Sequence, residues 1–229
     1  MNGSPASGGF GAGFRAMLPL WIGVVPFGAA YAVTARTTGL DPFETQLMSL
    51  LVFAGGAQFA AVGLIAAGAG PWTLVSTTFL LNLRHLLYGM VVARTTELHG
   101  ARRLLAAHLL TDEAFGVHVA QGRGRPAFLI GAGMSLFVVW NAATLLGSFL
   151  ARSLPDPGAI GLDIVFPLAF LALLVPLVRD RRTAVVAGVA GLGGWALGGF
   201  MASGAALLVA ATLAAGLAAA LPAPGREAP

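Results

Sequence analysis

The chain has 229 residues, 57% of them hydrophobic and only 10% charged, with a mean hydropathy of +0.85 and a formal net charge of +4. Soluble domains carry about 25% charged residues, so composition argues against a soluble enzyme or a nucleic-acid-binding module, and repeated apolar runs near 20 residues point to membrane-spanning helices. Every basic residue is arginine and no cysteine occurs, which excludes disulfides, thiol catalysis and cysteine-held metals.

Residues 1–13 are polar and glycine-rich and lack a basic stretch ahead of an apolar core. They do not read as a cleavable signal peptide, so insertion falls to the first spanning helix. That first apolar segment, 14–35, holds Pro26-Phe27-Gly28 at its middle, and a second, 45–67, holds Ala54-Gly55-Gly56-Ala57-Gln58. Proline removes a backbone donor and paired glycines weaken a helix. In lipid such backbone survives only where protein or water satisfies its polar groups. Both segments are therefore predicted to be interrupted, the first at Pro26 and Gly28. The alternative for the glycines is close helix packing.

The third segment, 72–93, carries Asn82, Arg84, His85 and Tyr88 within an otherwise apolar run. A charge near the bilayer centre costs roughly 2.5–3.5 kcal/mol on insertion scales, which makes such residues candidates for a functional site. On a helix Arg84 and Tyr88 share one face, and Asn82 and His85 an adjacent one. The bland alternative is an interfacial arginine that snorkels beside a belt tyrosine.

The stretch 102–121 is divided by His108, Asp112, Glu113 and His118, and the sequence leaves open whether it crosses or lies solvated along the membrane. Asp112 and Glu113 form an adjacent acid pair suited to proton relay or gating, or to binding a substrate's ammonium group. Apolar segments resume at 127–150, 164–178, 184–200 and 205–221, ahead of a short polar tail at 223–229. In the span 127–150, Asn141 reads as an interhelical hydrogen bond. Gly188, Gly191, Gly193, Gly194, Gly198 and Gly199 read as packing surfaces. The expected fold is an all-α, single-domain transmembrane bundle of about seven helices, within a range of six to eight, some interrupted.

Arg94, Arg102, Arg103, Arg123 and Arg125 cluster in one connection, and Arg179, Arg181 and Arg182 in another. The positive-inside rule puts both clusters and the C-terminus on the cytoplasmic side and leaves the side of the N-terminus open. No phosphate-binding loop, HExxH or nucleophile elbow occurs, so the chain does not read as an enzyme, and no cofactor or metal is expected.

At Pro26-Phe27-Gly28, Phe53-Ala54-Gly55-Gly56-Ala57-Gln58-Phe59, Asn82-Leu83-Arg84-His85, Leu87-Tyr88-Gly89 and Thr111-Asp112-Glu113-Ala114, the sequence resembles the AzlC-type family, the large subunit of branched-chain amino acid permeases. The resemblance is strongest over 14–122. It implies a multi-pass protein of a prokaryotic plasma membrane that exports branched-chain or related neutral amino acids with a small AzlD-type membrane subunit. The stoichiometry, including any higher oligomer, stays open. Together with the interrupted helices it leads us to expect substrate at Gly55, Gly56, Gln58, Asn82, Arg84 and Tyr88, with His85, Asp112 and Glu113 serving proton coupling or gating. A non-transporting scaffold subunit and a small-solute channel are the competing readings.

Overall fold

The computed structural model describes residues 8–121, 125–153, 171, 175, 178, 180–201 and 203–221. The expected span 164–178 lies largely outside them, as do the tail 223–229, Arg123 and Arg179. The described residues are helical, with no strand among them, in keeping with an all-α fold.

Helix α1 (Phe10–Ala16) ends at Met17, a 3-10 turn (Leu18–Leu20) follows, and α2 (Trp21–Thr37) restarts the same apolar segment. The interruption therefore falls at 17–20, around Pro19, and α2 runs through Pro26 without a break. This corrects the expectation for Pro26 and Gly28. Proline 26 stands five residues after the restart and costs the helix one bond, to the carbonyl of Ile22, while every later turn is kept. Gly28 serves packing instead: a Cβ there would stand 2.9 Å from that of Ala143.

The second segment does divide. Helix α3 (Pro42–Leu51) opens with a capping box, Asp41 accepting from the Glu44 amide and Glu44 from the Asp41 amide. It stops at Val52-Phe53-Ala54, and α4 (Gly55–Ala66) continues. Phe53 makes the turn with φ of +40°, in the left-handed region that costs a bulky residue about 1–3 kcal/mol. Its ring is held by Phe137 at 5.0 Å and His108 at 6.2 Å between centroids, so packing imposes the turn.

Helix α5 (Pro71–Thr95) is unbroken over 25 residues, ~37 Å at the helical rise and long enough to cross a bilayer. The stretch left open in the sequence is a second divided segment: α6 (Gly100–His108), the link Leu109-Leu110-Thr111, and α7 (Asp112–Ala120). Each half has 9 residues, too few to cross alone.

Helix α8 (Pro126–Ser153) is the hub of the described bundle. Its residues and 10–37 each form a 28-residue helical stretch apolar enough to cross a membrane. Glycines bring α8 against its neighbours' backbones. A Cβ at Gly131 would meet the Phe10 carbonyl oxygen at 2.0 Å, one at Gly133 the Leu109 oxygen at 2.4 Å, and one at Gly147 the Ala29 oxygen at 2.5 Å. Thus α8 contacts α1, the second break and α2 through positions where no side chain fits. Phe27, Tyr31, Phe59 and Trp140 form an aromatic cluster between α2, α4 and α8, with centroids 4.8–6.0 Å apart.

A polar seam fixes α3 to α8. Gln46 Nε2 donates to Asn141 Oδ1 at 2.9 Å, and the Ser49 and Thr144 hydroxyls meet at 3.1 Å, which gives Asn141 the interhelical role expected of it. Replacing Asn141 by leucine should lower stability by about 0.6–1.7 kcal/mol, measured by thermal unfolding in detergent. An unchanged melting temperature would show that the seam is energetically idle.

Helices α9 (Arg181–Gly198) and α10 (Ser203–Ala220) pack on each other, and α10 touches α5. Among the glycines expected to pack here, a Cβ on Gly193 or Gly194 would lie 3.9 or 3.7 Å from the Ala210 Cβ, whereas one at Gly188, Gly191 or Gly198 would meet nothing within 4 Å among the described residues. The faces of these three glycines turn away from α10.

Candidate functional site

The two breaks face each other. His108, at the end of α6, packs its ring between Phe53 of the first break and Phe137 of α8. Between the breaks and α5 lies a cleft of about 210 Å³ lined by Val52, Phe53, Ala54, Asn82, His85, Ala107, His108 and Leu110.

The two helices that restart after the breaks end differently at their N-termini. Helix α7 is capped by the Thr111 hydroxyl, which accepts from the Ala114 amide at 3.2 Å, and carries Asp112 and Glu113 in its first turn. Those groups satisfy free amides and oppose the positive end of the helix dipole. Helix α4 has Ala54 at its N-cap, no capping side chain and no acid in its first turn. Its positive end is left uncompensated within the helix.

Arg84 stands at that end. A Cβ on Gly56 would lie 3.7 Å from Arg84 Nη2, so the glycine leaves the guanidinium open access to the first turn of α4. The same Nη2 pairs with Asp112 Oδ2 at 3.1 Å, and the Tyr88 hydroxyl donates to Asp112 Oδ1 at 2.7 Å. Arg84 and Asp112 are both 41% exposed at the side chain, so water screens the pair. Tyr88 is stacked on Phe115 of α7 with centroids 4.4 Å apart, and His85 meets its edge at 5.8 Å. Glu113 is exposed beside this group.

Of the residues singled out in the sequence, the structure brings Gly56, Arg84, Tyr88 and Asp112 into one cluster and sets Asn82 and His85 on the wall of the adjoining cleft. Gly55 has a different job, since a Cβ there would stand 2.9 Å from the Trp140 indole, which lies across the start of α4. Gln58 is fully buried on nearly the opposite face of α4 from Gly56, because two residues advance a helix by about 200°. It adjoins Tyr31, whose hydroxyl donates to the Thr45 carbonyl at 3.1 Å, and its own amide lacks a hydrogen bond of good geometry. The structure thus separates Gln58 from Arg84. Sequence reading missed His108 as a cleft residue, and also Ala54, whose significance is the cap it fails to provide. Among the described residues no group of three His, Asp or Glu side chains is placed to hold a metal ion.

An all-α protein with two helical stretches apolar enough to cross a bilayer and a polar cluster between two broken helices belongs to the class of helical membrane proteins. The family described as AzlC protein matches residues 19–154, the stretch that holds both breaks and the cluster. The chain belongs to this family, which is a membrane transport family. It is 32% identical to an uncharacterized membrane protein of Archaeoglobus fulgidus, over 84% of this chain and 87% of that protein. It is 28% identical to the inner membrane protein YgaZ of Escherichia coli, over 82% of this chain and 81% of that one. It is 23% identical to the branched-chain amino acid transport protein AzlC of Bacillus subtilis, over 72% of this chain and 66% of that one. No solved structure matches.

Proposed function

We propose that this chain is the large subunit of a two-component secondary transporter that exports branched-chain or related neutral amino acids in exchange for protons. The observation that carries the reading is the bare N-terminus of α4 opposite Arg84. Free amides at a helix start together with a guanidinium make a receptor for a carboxylate. The Bacillus subtilis relative is named a branched-chain amino acid transport protein, which supports amino acids of that type as the source of the carboxylate. A small AzlD-type membrane subunit is the proposed partner. The arginine clusters favour a multi-pass arrangement with a cytoplasmic C-terminus.

Coupling follows from competition for one cation. In this structure Arg84 is paired with Asp112. A substrate carboxylate draws the guanidinium toward α4 and leaves Asp112 with the Tyr88 hydroxyl as its donor. We assign the proton exchanged for substrate to the Asp112 carboxylate, which gives up its cation when substrate binds and recovers it when substrate leaves. His85 and Glu113 stand beside Asp112 as the route by which that proton arrives and departs.

Membranes holding the chain and its small partner should export labelled valine or leucine. Arg84→Ala should cut that export roughly 10- to 100-fold, the equivalent of a charge-assisted hydrogen bond worth ~1.5–3 kcal/mol. Gln58→Ala, which alters a buried group behind α4, should disturb stability more than transport. Undiminished export in Arg84→Ala overturns the site.

A further inference from the structure

We infer that the cleft between the two breaks is an ammonium subsite, so that the protein recognises the charged amino group of its substrate separately from the carboxylate. This rests on the transport reading above and extends it to the second charge of a zwitterion.

The chemistry of the cleft wall carries the inference. Val52 and Phe53 follow the C-terminal end of α3, and Ala107 and His108 form that of α6. The last carbonyls of a helix have no intrahelical partner and lie at the negative end of its dipole, so two helices direct acceptors and negative potential toward one space. Asn82 lines the same space, and its Oδ1 is buried with no hydrogen-bond donor among the described residues.

His85 adds a further acceptor. Its Nδ1 lies 3.2 Å from the Asn82 backbone carbonyl, which can only accept, so Nδ1 carries the hydrogen and, in the neutral form of the ring, Nε2 holds the lone pair. Among the described lining residues none is an arginine, and Ala54, the N-cap of α4, brings the positive end of that helix to one edge of the cleft. The part of the wall formed by the α3 and α6 C-termini and Asn82, away from the α4 edge, suits a compact group with several donors. A primary ammonium has three, and its neighbour at the α4 end is the proposed carboxylate seat, so one substrate can present each charge to the helix end of opposite sign.

Valine and its two half-analogues test this on the chain together with its small membrane partner in detergent, by titration calorimetry. 3-Methylbutanoate keeps the carboxylate and isobutylamine keeps the ammonium. Asn82→Leu should weaken valine and isobutylamine roughly tenfold or more and leave 3-methylbutanoate unchanged, which also shows that the variant is folded. Asn82→Ser, which retains an acceptor oxygen, should recover part of the loss. Arg84→Ala should do the reverse, weakening valine and 3-methylbutanoate and sparing isobutylamine.

Equal weakening of valine and 3-methylbutanoate in Asn82→Leu overturns the ammonium subsite and leaves the carboxylate seat standing. Unchanged 3-methylbutanoate binding in Arg84→Ala, with the Asn82 pattern as expected, overturns the carboxylate seat alone. Valine binding that requires sodium and is lost in N-methylglucamine buffer overturns the assignment in favour of a coupling cation in the cleft. Failure of the unmodified chain to bind valine overturns both readings.

Discussion

Ala54→Asp should make the protein more stable and abolish export. These opposite signs follow from one vacancy. Ala54 occupies the N-cap of α4 in extended backbone, φ −140° and ψ +90°, where an aspartate side chain reaches the amides of the first turn. Supplying a cap where none exists adds about 0.5–2 kcal/mol to a helix. The new carboxylate also comes within reach of Arg84, and the adjoining cleft of about 210 Å³ gives it room. It would then occupy the proposed seat of the substrate carboxylate permanently, at an effective concentration no free amino acid matches. Thermal unfolding in detergent should shift upward by a few degrees, and valine efflux should fall to the level of empty membranes. Ala54→Asn, a neutral cap, should give a similar shift in stability and keep measurable export. Wild-type efflux in Ala54→Asp would show that the start of α4 receives no anion.

The same vacancy explains why part of the site was legible in the sequence. Ala54-Gly55-Gly56 offers no side chain able to cap a helix, and paired glycines resist helical order, so a break and an open N-terminus follow from residue types alone. The second break was equally readable in principle. Thr111 followed by Asp112 and Glu113 is an N-cap with acids in the first turn, and it marks a helix start within 102–121. Pro26 misled because proline is conspicuous wherever it falls. Its effect depends on where the helix begins, and the start at Trp21 places it early in α2, where one lost hydrogen bond is tolerated. Helical phase alone would have turned Gln58 away from Gly56. No local pattern, by contrast, could pair Arg84 with Asp112 or lay His108 against Phe53, because these contacts depend on how α5, α6 and α7 assemble against α8.

That assembly is most vulnerable where α1 crosses α8. Gly13 and Gly131 meet there reciprocally. A Cβ on Gly13 would stand 2.0 Å from the Phe128 carbonyl oxygen, and one on Gly131 would stand 2.0 Å from that of Phe10. Both obstacles are backbone atoms of packed helices, so neither can yield by turning a side chain aside. Gly131→Ala therefore forces the two helices apart by an ångström or more along their contact. It opens gaps beside Phe128 and Leu129, both buried, and disturbs the hydrogen bond from Trp21 Nε1 to Ser135 Oγ one turn further along α8. Overpacking in a well-filled core costs about 1–3 kcal/mol, and occasionally more when backbone must move. The loss expected here is at or above ~3 kcal/mol, seen as a marked fall in melting temperature and poor recovery of folded protein. Gly11→Ala is the matched control, since its Cβ would meet nothing within 4 Å, and it should match or slightly exceed the parent because alanine favours helix over glycine. Equal melting temperatures for Gly131→Ala and Gly11→Ala would mean that α1 does not lie against α8.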